Sequence, residues 1–154
     1  MRLELVFPGK TREAYLKKGM DDFCERLSHH VRIDIKIVKD GSAAKDEARA
    51  VLLEGEQLLA GCSRSAYLVV LDPGGRQLSS EELARSVADW EMQGRQVVSF
   101  VIGGAAGLSP AVPARADLLL SLSRMTFTHE MARLILLEQL YRAYSIKAGT
   151  KYHK

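Results

Sequence analysis

The sequence predicts an α/β fold: a parallel sheet of about five strands with helices on both faces, in one domain across residues 1–154. Three observations predict it. Short apolar, β-branched runs alternate five times with longer stretches of helical periodicity. Two middle runs are almost wholly apolar, as strands covered on both faces must be. The chain has 154 residues, 47% hydrophobic and 27% charged, which suits one domain with a real core.

The strand candidates are RLELVF (2–7), RIDIKIVK (32–39), AYLVVLD (66–72), QVVSFVI (96–102) and DLLLSLS (117–123). The first helix is expected over 11–30, where apolar residues recur near helical spacing. The second, 44–61, ends at Gly61, a natural C-cap. The third, 79–94, opens with Ser79 and carries Glu82 three residues later, a capping-box pattern, and stops at Gly94. A short helix over 109–116 begins Ser-Pro. The last, 129–149, is long and apolar nearly all round, so it should be buried and should supply an interface to a second copy. Glu4, Asp34 and the acids of 45–56 read as solvated faces.

Several classes fall away. No run approaches a membrane span, and MRLELVF is too short and polar for a signal segment. Cys24 and Cys62 match no metal or redox spacing and fit a reducing compartment, so a cytoplasmic protein with no metal is expected. A net charge of +3 permits an anionic partner without demanding one.

Ligands of open α/β sheets bind beyond the carboxyl ends of the central strands. Three loops leave those ends: LDPGGR (71–76), IGGAAGLS (102–109) and LSRMTFTHE (122–130). Gly103, Gly104 and Gly107 follow the fourth strand, not the first, with G-G-x-x-G spacing and no acid between Asp117 and Glu130. That is not the dinucleotide fingerprint, and no lysine follows to make a phosphate-binding P-loop. The loop alone reads equally well as a tight turn. The three loops together could enclose a compact ligand by main-chain contacts, with Asp72 shaping its turn.

LDPGG (71–75) with SSEELA (79–84), FVIGGAAGLS (100–109), LSRMTFTHEMARLILLEQLYRAYSI (122–146) and the terminal YHK (152–154), with FPGK (7–10) after the first strand, resemble the SPOUT methyltransferases. The likeness is greatest to the small subgroup that methylates N3 of a pseudouridine in 23S ribosomal RNA. The resemblance implies a C-terminal trefoil knot, a homodimer and S-adenosyl-L-methionine held in the knot loops. Leu71, Gly103, Leu122, Ser123, Arg124, Met125, Thr126 and Phe127 are then the cofactor-binding positions. Gly103 and Gly104 would leave room for close ligand approach. The sequence departs from the family at Ala105 and Ala106, where Pro and an acid are common, and at Lys154, where Arg is common.

N3 of a uracil-type ring must lose its imide proton to attack, so a base is sought. In the tail, His153 is the first candidate, with Tyr152 and Lys154 as substrate contacts. His129 is a substrate-binding candidate or a solvated helix-start residue. Arg133 is a catalytic candidate through phosphate or substrate contact, or a surface ion pair with Glu130 or Glu138. Lys10, Arg12, Lys17, Lys18, Arg142, Lys147, Lys151 and Lys154 form a strip for RNA phosphates if a dimer joins them. The alternatives are a nucleotide- or flavin-binding oxidoreductase and a non-catalytic RNA-binding protein.

Overall fold

The computed structural model describes residues 1–153; Lys154 and the side chain of His153, both singled out for the site, lie outside the described residues. All five strands form: β1 (Arg2–Pro8), β2 (Arg32–Val38), β3 (Tyr67–Gln77), β4 (Val97–Val101) and β5 (Leu118–Ser121). Between and after them lie α1 (Ala14–Ser28), α2 (Glu47–Gly61), α3 (Ser80–Met92), α4 (Ala111–Ala114), α5 (His129–Lys147) and a closing 3-10 turn (Lys151–His153).

The strands pair in the order β2-β1-β4-β3-β5, every pair parallel. The two almost wholly apolar runs, β3 and β4, are internal as expected, and β1 is equally buried beside β4. Alternation along the strands divides the core in two. Leu3, Leu5, Phe7, Val69, Val98 and Phe100 join the larger cluster with residues of α1, α3 and α5. Val6, Leu68, Val70 and Val101 join Leu58 of α2 and Val112 of α4. The sheet is thus covered on both faces.

Helix ends follow local chemistry. Asp46 accepts from Arg49 N, so α2 starts at Glu47 rather than at 44. Ser79 and Glu82 form the expected capping box on α3. The stretch 109–116 yields only the four residues of α4. Helix α1 starts at Ala14 rather than 11 and has no side-chain cap of its own. Instead Glu130, at the start of α5, accepts the amides of Arg12 and Glu13.

Strand β3 runs past its expected end at 72. Leu71 pairs with Leu120, the chain bulges, and Arg76 pairs with Leu120 again. Gly75 is required here: a Cβ on it would lie 2.7 Å from the Leu119 main chain.

Two expectations need correction. The all-round apolarity of α5 does not by itself require a second copy. Leu136, Leu137, Leu140, Ala143 and Tyr144 are buried in the larger core, and α1 and α3 pack along the helix. At Gly19, α1 comes so close that an added Cβ would lie 2.9 Å from Leu134 Cδ1. Glu4 is not solvated either. It is fully buried in β1 and accepts from Lys36 Nζ at 2.8 Å, Ser63 Oγ at 2.6 Å and Ser99 Oγ at 2.7 Å. Burial pushes its pKa up, but the hydrogen bonds from Lys36, Ser63 and Ser99 outweigh burial and hold the carboxyl at about 2.

Candidate active site

Beyond the carboxyl ends of the strands lies a cleft of about 790 Å³. The three segments expected to form it do so: 71–73, now in the bulge of β3, and the loops after β4 and β5. Leu71, Gly103, Leu122, Ser123, Met125, Thr126 and Phe127 line it, and so does His129 on the first turn of α5. Arg124 is exposed and does not line it. Met125 and Phe127, 75% and 38% exposed, present apolar surface to the cleft.

Short-range hydrogen bonds shape these loops. Asp72 Oδ1 accepts from Gly74 N at 2.7 Å, the turn role expected of it. Ser121 Oγ donates to Ser123 O, and Ser123 Oγ accepts from Met125 N, each at 3.0 Å. Thr128 caps α5 by accepting from Met131 N.

The glycines of 103–107 have a different origin from the one expected. A Cβ on Gly103 would lie 2.8 Å from Leu108 Cδ2, and one on Gly104 would lie 2.7 Å from Glu54 Oε1 and 3.3 Å from Pro8 Cγ. These two positions are crowded by the protein itself. Gly107 faces open space but has φ +88°, in the left-handed region, where its amide closes a turn onto Gly104 O at 3.1 Å.

A fourth wall was not found in the sequence. Glu13, Tyr15 and Leu16, at the start of α1, complete the cleft. Tyr15 is 66% exposed. The signal was available: α1 follows β1, whose carboxyl end faces the same side, but β1 was not counted among the central strands.

Arg133 is placed differently from a surface phosphate contact. It does not line the cleft, forms no ion pair with Glu130 or Glu138, and is 0% exposed. Its guanidinium lies 4.0 Å from the Phe7 ring centroid. It donates to Pro8 O at 2.8 Å, Gly9 O at 3.3 Å and Thr11 Oγ1 at 3.0 Å. Burial lowers its pKa to about 10, with the charge of Glu130 acting against that shift. Arg133 therefore ties α5 to the segment entering α1. The physical reason is its place on the helix: four residues after His129, it faces the β1–α1 connection, whose free carbonyls need a donor.

Tyr152 is also away from the cleft of its own chain. Its ring packs against Tyr141, centroids 4.6 Å apart, with the Arg142 guanidinium 4.9 Å away, and its hydroxyl donates to Glu138. Glu138 lies nine residues along α5 from His129, about 13 Å of helix. Of the basic residues, Lys17 pairs with Asp21, Arg142 with Glu138 and Lys147 with Glu91, while Lys10, Arg12 and Lys18 are exposed. Among the described residues no group of His, Cys, Asp and Glu is arranged to hold a metal ion, and no helix is long and apolar enough to cross a membrane.

Comparison with known proteins sharpens this picture. The chain is 47% identical over its full length, and that of its relative, to a protein of Desulfotalea psychrophila named "Ribosomal RNA large subunit methyltransferase H". It is 46% identical to a protein of that name from Symbiobacterium thermophilum and 43% identical to one from Clostridioides difficile, each again covered in full with this chain. Among solved structures, a probable methyltransferase from Bordetella pertussis Tohama I shares the fold with a TM-score of 0.57, at 16% identity, over 93% of this chain and 96% of that one. Residues 1–153 match the family described as "Predicted SPOUT methyltransferase". With that match, the full-length relatives and a cleft formed by the bulge of β3 and the loops beyond β4 and β5, the chain belongs to the SPOUT methyltransferase family.

Proposed function

We propose that this chain is an S-adenosyl-L-methionine-dependent ribosomal RNA methyltransferase that acts on N3 of a pseudouridine in 23S RNA, in the large subunit or assembled ribosome. In this reading it works as a cytoplasmic homodimer with a trefoil knot in its C-terminal part. The observation that carries the reading is the cleft at the bulge of β3 and the carboxyl ends of β4 and β5 in a chain whose full-length relatives are named as ribosomal RNA methyltransferases. Family membership sets the oxidoreductase alternative aside.

The residues present fit the cofactor. Leu71, Leu122, Met125 and Phe127 offer apolar surface, and the loops 102–108 and 122–127 offer main-chain groups to an adenine edge. When bound, the cofactor supplies a methyl group made electrophilic by its sulfonium. The chain's own work is alignment, exclusion of water and removal of the imide proton. His129 and Tyr15 both line the cleft, and in this reading they contact a flipped base. Tyr152 and His153 follow α5 at its far end, so in this reading they reach a cleft only across a dimer, with His153 as base and Lys154 at a phosphate.

Calorimetry with S-adenosylhomocysteine, paired with methyl transfer to ribosomes lacking the modification, tests the reading. Specific binding and incorporation at N3 are expected. A chain that binds no S-adenosylhomocysteine, or binds it and methylates no ribosome, refutes it.

A further inference from the structure

Glu54, in the middle of α2, lies behind the glycine loop rather than on a solvated face. Its Oε2 accepts from Gly41 N at 2.8 Å. Its Oε1 is buried and has no hydrogen-bond partner among the described residues. That oxygen abuts Gly104, where an added Cβ would lie 2.7 Å from it.

The next residue explains how α2 comes so close. A Cβ on Gly55 would lie 2.1 Å from Ser109 Oγ and 3.4 Å from Val112 Cγ2. Two consecutive residues of α2 therefore press on the two ends of the segment 104–109, with glycine at each contact. Between those ends, Ala105 and Ala106 are exposed, and their amides donate to no acceptor among the described residues. A buried carboxylate oxygen without a donor is costly, and the free donors nearest in sequence to its contact at Gly104 belong to this loop.

We infer that Glu54 is a positioning residue for the cofactor loop: its Oε1 accepts a main-chain N–H of the 104–106 segment when the loop settles over bound cofactor. The bond forms in the closed loop and is absent from the open one. It therefore contributes to the difference in affinity that drives closure. This rests on the cofactor reading above, and Glu54 itself touches no reacting atom.

The test is amide hydrogen exchange with and without S-adenosylhomocysteine, on the wild type and Glu54→Gln, with affinity by calorimetry. Gln keeps the Gly41 bond through its oxygen and presents an NH2 donor where the loop needs an acceptor. The wild type should bind and show slowed exchange at 104–107. Glu54→Gln should keep the melting temperature of the free protein, bind roughly ten-fold more weakly and lose the added protection. A purely structural role predicts a lowered melting temperature with unchanged affinity and protection, and that result overturns the inference. Wild-type binding without slowed exchange at 104–107 also overturns it and leaves the cofactor reading intact. No binding by the wild type overturns both.

Discussion

Replacing Arg133 separates support of the cleft from participation in the reaction. Arg133→Met keeps much of the side-chain volume and removes three hydrogen bonds, to Pro8 O, Gly9 O and Thr11 Oγ1. Bonds from a charged donor contribute about 1.5–3 kcal/mol each, and the cost of burying the charge offsets part of that, leaving a loss of about 2–4 kcal/mol. For a domain of this size the melting temperature should fall by roughly 5–15 °C. Arg133→Lys should recover little, because one ammonium cannot reproduce the planar fork that reaches Pro8 and Thr11 together. The released segment, residues 8–13, leads into the cleft wall at Glu13, Tyr15 and Leu16. S-adenosylhomocysteine affinity should therefore fall with stability. Leu136→Ala is the control: it lies in the core away from the cleft and should cost about 2–5 kcal/mol while sparing affinity at temperatures where it is folded. The assays are thermal and urea unfolding with calorimetry. If Arg133→Met melts with the wild type, binds S-adenosylhomocysteine normally and yet fails to methylate ribosomes, the supporting role is wrong and Arg133 acts on the substrate.

Glu4 sets an acid limit on stability. Its carboxyl pKa is lowered from 4.5 to about 2, so its stabilising contribution is complete above about pH 4.5 and is lost as pH falls toward 2. That contribution is roughly 3 kcal/mol, and Glu4→Gln should flatten this part of the stability–pH curve measured by urea titration. Gly107→Ala should cost about 1 kcal/mol from its left-handed backbone alone and weaken S-adenosylhomocysteine binding; unchanged affinity would detach the loop from the site. Tyr15→Ala should depress methyl transfer to ribosomes while Tyr15→Phe retains it, because a stacking role needs the ring and not the hydroxyl; equal loss in both refutes stacking. Removal of residues 152–154 should leave the fold and cofactor affinity in place and depress methyl transfer; full activity would show the tail to be dispensable.

The order of elements, the internal position of β3 and β4 and the three loops of the cleft were legible because apolar periodicity and strand-end geometry are local properties. The residues misread were those whose surroundings come from distant parts of the chain. Arg133 looks like a surface cation until Pro8 and Gly9, more than 120 residues earlier, present their carbonyls to it. Glu4 looks solvated until Lys36, Ser63 and Ser99 converge on it from three other segments. Gly103 and Gly104 advertise close approach, but a sequence does not say that Leu108 and Glu54 are the atoms approaching. Tyr15 escapes a reading of the sequence because its place at the cleft depends on where β1 ends in the sheet.

The doubled pairing of β3 on Leu120 bears on how this chain can vary in length. Residues 72–75 form a short bridge whose two ends, Leu71 and Arg76, are both registered to a single residue of β5, with Gly75 seated on the Leu119 main chain. An inserted residue there has nowhere to go: it must break one of the two registers or push β5 outward, and Leu120 and Ser121 behind the cleft would move with it. The connection 39–46 between β2 and α2 carries no such double registration and leaves an edge strand. Length changes among functional variants should therefore collect at 39–46 and spare 72–75, where the length of the bulge itself shapes the cleft wall.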